Sequence, residues 1–172
     1  FGTAAKVVRV LESTSDSVKA LIEGVVRIKV TDYVQTEPYC KARIEEVREF
    51  TEKSETIDVL VQSVITLFKL SAMLGKALPK DVISMIDTIN NPSILADLVA
   101  IYLELPVHEK QKLLEMLDPQ KRLRVVFHYL NKEVQLKEVR GKIDEEVAKE
   151  MSKTQREYFL REQLRAIQKE LG

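Results

Sequence analysis

Cysteine, tryptophan, glycine and proline are all scarce in this chain of 172 residues, and each scarcity closes a class of answer. The single cysteine, Cys40, has no second thiol to pair with, which excludes a disulfide framework within the chain and fits a reducing compartment. Five glycines are too few for a nucleotide cradle built from backbone N–H groups. A phosphate loop of the form GxxxxGK[ST] needs glycine five residues before Gly-Lys, where Gly75-Lys76 has Leu70 and Gly141-Lys142 has Leu136. Charge of one sign is lacking too: 27 basic residues balance 27 acidic ones, so no general electrostatic pull toward nucleic acid or anionic lipid is expected. Residues 119–172 carry a net +4 and the remainder −4, an asymmetry too small for a nucleic-acid patch. The most apolar stretch is broken by Asp58 and Lys69, which leave only ten uncharged residues between them, and no membrane segment is expected there. There is no secretory signal and no starting Met, and the abrupt opening at Phe1-Gly2 is the expectation for a piece of a longer protein.

Catalytic patterns fail in the same way. His108-Glu109 is half of the zinc-protease pattern HExxH, but Lys112 holds the second ligand position, and His108 reads as a polar residue in the first turn of a helix. Cys40 and His128 form no nucleophile and base, since they come from different parts of the chain with no orienting acid; Cys40 reads as a small core residue on a strand.

What the sequence does contain is a very long helical pattern. Asp118-Pro119 opens it, the carboxylate accepting the orphan N–H bonds of the first turn and the proline giving up an N–H that had no partner. No further proline follows, and the only interior glycine is Gly141, so residues 119–171 are expected to form one helix of about 80 Å. Leu123, Val126, Phe127, Leu130 and Val134 recur at the spacing of a helix lying on a core. Leu136, Val139, Ile143, Val147 and Met151, and later Leu160, Leu164, Ile167 and Leu171, form a narrower seam suited to a coiled coil or another helix. Glu133/Lys137, Glu138/Lys142, Glu145/Lys149 and Glu157/Arg161 stand four apart, each pair worth about 0.3 kcal/mol. Tyr158, Phe159 and Leu160 are consecutive and spread over about 200° of helix. With Leu164 they are the candidate contact residues, under two readings: packing within the protein or a coiled coil, or a surface for unfolded polypeptide or a neighbouring subunit.

The rest of the chain is read from its N-terminus. Ala4 to Leu11, Val18 to Glu23 and Val25 to Val34 are strand-like, with a hairpin loop at Ser13-Thr14-Ser15-Asp16 and a turn or bulge at Gly24. Val26, Ile28 and Val30 alternate with Arg27 and Lys29, as in a sheet with one wet face, and a further candidate strand follows Pro38. Three or four such strands are few for an independent sheet, as expected of a truncated β domain. A charged connector spans Glu45 to Thr56, Ser54 is placed to cap the first helix, and Gly75 ends it. Pro79, Asn91-Pro92 and Pro106 open three shorter helices. The fold class is therefore α+β, predominantly α. Residues 1–50 form a partial antiparallel β subdomain and 51–118 a helical bundle. Residues 119–172 form a long helix that completes the bundle and extends beyond it.

The terminal motif QREYFLREQLRAIQKELG, Gln155 to Gly172, resembles the segment that leads into the ATPase module of Lon proteases. The resemblance extends back through Lys149-Glu150-Met151, Asn91-Pro92 with Leu95-Ala96-Asp97, Glu109-Lys110-Gln111 and Leu117-Asp118 to Gly2-Thr3-Ala4-Ala5 and Ile22-Glu23-Gly24. It implies a parent that is a cytoplasmic, homohexameric, ATP-dependent serine protease with a AAA+ motor using ATP and magnesium and a Ser-Lys dyad. None of that machinery, and no cofactor or metal site, is expected within these residues. Their implied role is to help select damaged, misfolded or tagged proteins and to support ring assembly. The alternative is a non-catalytic scaffold that self-associates through its long helix.

Overall fold

The computed structural model describes residues 1–14, 17–49, 55–75 and 77–171. Three strands, β1 (Gly2–Ser13), β2 (Val18–Gln35) and β3 (Lys41–Glu46), form one antiparallel sheet in that order. The two segments separated at Gly24 are a single long strand: Ala4 pairs with Val26 and Ala5 with Gly24, so Val25 is the extra residue of a bulge and the chain does not turn there. A methyl group on Gly24 would meet Thr3 Cγ2 at 3.4 Å, so the bulge draws the two strands close where a side chain would crowd them. Thr14 N–H donates to Ser17 O at 2.8 Å and closes the first hairpin, while Ser15 and Asp16 lie outside the described residues. Cys40 is exposed and precedes β3, so it is no core residue: the face it was assigned to carries no packed layer. The expected one-wet-face alternation also fails. Val26, Ile28 and Val30 are half-buried, Arg27 between them is the buried residue, and most of the remaining sheet is exposed.

The hydrophobic core lies among the helices and the segments that connect them. Helix α1 (Glu55–Met73) supplies Ile57, Val61, Val64, Ile65 and Phe68; α3 (Pro92–Tyr102) supplies Leu95, Ala96 and Val99; α5 (Pro119–Leu171) supplies Leu123, Val126 and Leu130. Phe68 and Tyr102 meet edge to face at 5.9 Å between ring centres. The window Thr56–Met73 is long and apolar enough to cross a membrane by composition, but its apolar stripe is the one packed on α3 and α5. The second predicted helix shrinks to α2 (Lys80–Met85) followed by a 3-10 turn at Ile86–Thr88, through which Ile86 reaches the core. Short α4 (Val107–Glu115) buries Leu113.

Capping accounts for the helix ends. Asn91 Oδ1 accepts from Ser93 N at 2.9 Å and Ile94 N at 3.3 Å, and Asp118 Oδ1 from Gln120 N at 2.9 Å and Lys121 N at 3.1 Å. Ser54, expected to cap α1, lies outside the described residues. Gly75 ends α1 at φ +88°, in the left-handed region. Gly141 sits inside α5 with open space around it. Opposite outcomes are therefore expected for the same substitution. Gly75→Ala should lower the thermal midpoint, at a cost of about 1 kcal/mol, because Cβ is disfavoured at that φ. Gly141→Ala should raise α5 helicity at elevated temperature, by about 0.5–1 kcal/mol locally, read by circular dichroism at 222 nm.

Helix α5 runs unbroken for 53 residues. Its last buried side chain is Val134, and from Glu138 to Glu170 every residue is exposed. The first turns are thus a bundle helix, and the rest is a rod that no other described element covers. Of the four expected ion pairs along it, Glu133 and Lys137 close at 3.4 Å; Glu162 with Arg165 closes instead of Glu157 with Arg161, at 3.1 Å.

Candidate functional site

Two features stand out where sheet, bundle and rod meet and where the rod leaves them. The first is a cluster of four charges. Arg27 on β2 donates from Nη1 to Glu49 Oε1 at 2.5 Å and from Nη2 to Asp97 Oδ1 and Oδ2 at 3.0 and 2.9 Å. Arg122, in the first turn of α5 and fully buried, donates from Nη2 to the same Glu49 Oε1 at 2.7 Å and to Ser93 Oγ at 2.6 Å. Its Nη1 donates to Met116 O at 2.6 Å. Its Nε lies 3.1 Å from Asp97 Oδ1 without the alignment of a hydrogen bond. Ser93 Oγ also donates to Glu49 Oε2. Two guanidinium groups and two carboxylates neutralise one another, which is what allows Arg27 and Arg122 to be buried at all.

Burial acts on both carboxyl groups. At Glu49 it pushes the pKa up, but hydrogen bonds from Ser93 and Arg122 and the attraction of both arginines overcome it, and the group sits below the usual glutamate range. At Asp97 burial prevails over the pull of Arg122 and Arg27, and nearby Glu49 adds to the rise, although 48% of its side chain is exposed. Neither arginine was picked out from the sequence. Arg122 stands four and eight residues before Val126 and Leu130, which places it on the buried face, and that spacing was the available signal. For Arg27 the alternation pointed the wrong way.

The second feature is the apolar surface of the rod. At about 100° per residue, Leu136, Val139, Ile143, Val147, Met151 and Tyr158 fall within an arc of about 120°. Leu160, Leu164 and Ile167 fall within a second arc, centred about a third of a turn away, and Phe159 lies on neither. The single seam expected from spacing is therefore two, offset between Tyr158 and Leu160. All of these side chains are exposed, and the four candidate contact residues retain 68% (Tyr158), 61% (Phe159), 49% (Leu160) and 58% (Leu164) of their surface.

The remaining sequence candidates have ordinary surroundings. His108 lies in the first turn of α4, its Nε2 3.3 Å from Glu109 Oε1, and Lys112, the residue that breaks the zinc pattern, reaches the same oxygen at 2.8 Å. Tyr129 on α5 donates to Glu109 Oε2 at 2.8 Å, tying α4 to α5. Hydrogen bonds from Lys112 and then Tyr129 hold Glu109 below its usual pKa. His128 and Cys40 are exposed. Among the described residues no three His, Cys, Asp or Glu side chains are grouped to hold a metal ion.

Comparison with known proteins gives a consistent result. Residues 1–132 match the family model described as the ATP-dependent protease La (LON) substrate-binding domain. The chain is 45% identical over its whole length to the Lon protease of Citrifermentans bemidjiense and 38% identical to that of Dictyoglomus thermophilum, and spans 22% of the length of each. Among solved structures it is similar to one described as the N terminal domain of Mycobacterium avium complex Lon protease. The TM-score is 0.63 and the identity 26%, over 76% of this chain and 69% of that one. The family match stops at residue 132, two residues before Val134, the last buried side chain of α5.

Proposed function

This chain belongs to the family of ATP-dependent protease La (LON) substrate-binding domains, and from that premise we propose that it receives unfolded or damaged proteins for a Lon protease without doing chemistry itself. The whole protein, in this reading, is a cytoplasmic homohexameric AAA+ serine protease, with its ATP and magnesium sites and its Ser-Lys dyad outside these 172 residues.

The observation that carries the reading is the exposed group Tyr158, Phe159, Leu160 and Leu164, set on a part of α5 that no other described element covers. Covering such a side chain contributes about 1.5–3 kcal/mol, and an unfolded polypeptide offers the apolar groups that a folded one hides. Arg156, Glu157, Arg161 and Glu162 interrupt the patch and keep it from being a continuous apolar face. Engagement at one rod is weak, and six copies in a ring raise the local concentration of sites.

In the whole protease, replacing Tyr158, Phe159 and Leu160 together by serine should slow degradation of a permanently unfolded protein several-fold. Hydrolysis of a short peptide, which needs no capture, should persist. Unchanged degradation of the unfolded protein together with unchanged subunit association would reject the role. Cross-linking of an unfolded substrate to residues 151–171 would support it.

The stripe from Leu136 to Met151 favours a second reading, a scaffold that only self-associates. That reading expects concentration-dependent association of this chain alone, with no preference for unfolded protein.

A further inference from the structure

Among the described residues no strand residue belongs to the hydrophobic core, and most apolar side chains of β1 and β2 are exposed. Among the sheet's apolar side chains only Ala4, Val26, Ile28 and Val30 are half-buried, so burial of apolar surface, the usual source of a fixed orientation between two layers, contributes little to holding the sheet to the helices. Among the described residues the hydrogen bonds that join them are concentrated at one place. Arg27 reaches from β2 to Asp97 on α3 and to Glu49 on the connector, and Val47 N–H donates to Arg27 O at 3.0 Å. Away from that place, Gln111 Nε2 on α4 donates to Phe1 O at 3.2 Å, an exposed bond at the chain end.

We propose that Arg27, Glu49, Asp97 and Arg122 form a latch that sets the orientation of the sheet relative to the bundle and to the rod. Glu49 Oε1 accepts from Arg27 and Arg122 at once, so a single oxygen links a strand of the sheet to the first turn of α5. Asp97 repeats the link through α3, where both its oxygens meet Arg27 Nη2 and its Oδ1 lies beside Arg122 Nε. Arg27 commits its two terminal nitrogens to different carboxylates, Nη1 to Glu49 and Nη2 to both oxygens of Asp97, so the planar guanidinium is fixed in direction as well as distance. Two such contacts at one point resist rotation of the sheet where one point charge would act as a swivel. Arg122 is anchored independently by Met116 O and Ser93 Oγ, so the bundle side of the latch stays fixed when the sheet side is released.

The roles of the two arginines therefore separate. Removing Arg27 leaves both carboxylates still paired with Arg122 and leaves the apolar core untouched; it should free the sheet without unfolding the bundle. The test is pulsed dipolar spectroscopy on the 172-residue chain carrying Cys40→Ser, with spin labels at Lys6→Cys on β1 and Lys132→Cys on α5. With the latch intact a single narrow distance distribution is expected. Arg27→Ala should broaden or split it, Arg27→Lys should fall between the two, and the cooperative melt followed at 222 nm should survive in both variants. Three results would overturn the proposal: a broad distribution before any substitution at Arg27, an unchanged distribution in Arg27→Ala, or loss of the cooperative melt in both variants. The last outcome would make the cluster part of the bundle's folding core.

Discussion

Arg122→Ala should cost about 3–5 kcal/mol of unfolding free energy, because it strips a buried cluster of its central cation. The side chain is fully buried and makes hydrogen bonds to Glu49, Ser93 and Met116 O. Its loss leaves a cavity, takes the donor from Met116 O, and leaves the two carboxylates with Arg27 as the cluster's remaining cation. Asp97 remains half exposed, and water relieves part of its penalty, which places the cost toward the lower end of that range. Against a typical total of about 5–15 kcal/mol this is a large share. Urea unfolding of the parent, Arg122→Met and Arg122→Ala separates the contributions, since methionine restores much of the volume but none of the charge. A loss below about 1 kcal/mol in both variants would contradict the burial of a working ionic network.

The pH dependence has a definite sign. Glu49 titrates below its ordinary value in the folded chain, so its contribution is fully present above about pH 4.3 and is lost as the pH falls through the lowered value. Asp97 is held above its ordinary value by burial, so its protonation acts with the opposite sign. Acid titration of the parent should therefore show a loss of stability as Glu49 takes up its proton, offset in part by the protonation of Asp97. In Arg122→Ala the Glu49 contribution should be diminished, and the acid limb of the curve correspondingly flatter.

Leu130 and Leu164 should respond in opposite ways to one substitution. Both lie on α5 in apolar stripes of helical spacing, but Leu130 is fully buried while Leu164 retains 58% of its surface. Leu130→Ala should cost about 2–5 kcal/mol, the lost transfer free energy plus the cavity left among the packed helices. Leu164 lies on the exposed part of α5 that no other described element covers, so Leu164→Ala should change stability by less than about 0.5 kcal/mol. Its effect should appear in capture of unfolded protein by the whole protease. Denaturant unfolding of the two variants side by side gives the comparison, and a cost above about 1 kcal/mol for Leu164→Ala would mean that the rod is packed on something in this chain.

That pair also marks where sequence reading stops. Periodicity identified both leucines as members of an apolar stripe, and Asp118-Pro119 together with the lack of later prolines set the length of α5, which runs Pro119–Leu171. These are local signals: a carboxylate within reach of two N–H groups, a ring without an N–H, a spacing that repeats every turn. Gly75 was legible for the same reason, since a helix end that needs left-handed backbone names its residue. The resemblance to Lon proteases was legible in Gln155 to Gly172, although the family match itself covers residues 1–132.

Sequence alone thus determined the order of elements, the unbroken rod and the family, because each is written in residues close together along the chain or in the identity of a motif. Tertiary structure alone decided which apolar stripe is covered, that Gly24 marks a bulge within one strand, that Arg27 is buried, and which carboxylates meet Arg27 and Arg122. Glu49 lies 22 residues from Arg27 and 73 from Arg122, and Asp97 lies 70 from Arg27. A charge can enter an interior only when its counter-charges arrive there too, and no local pattern states which distant residues will arrive.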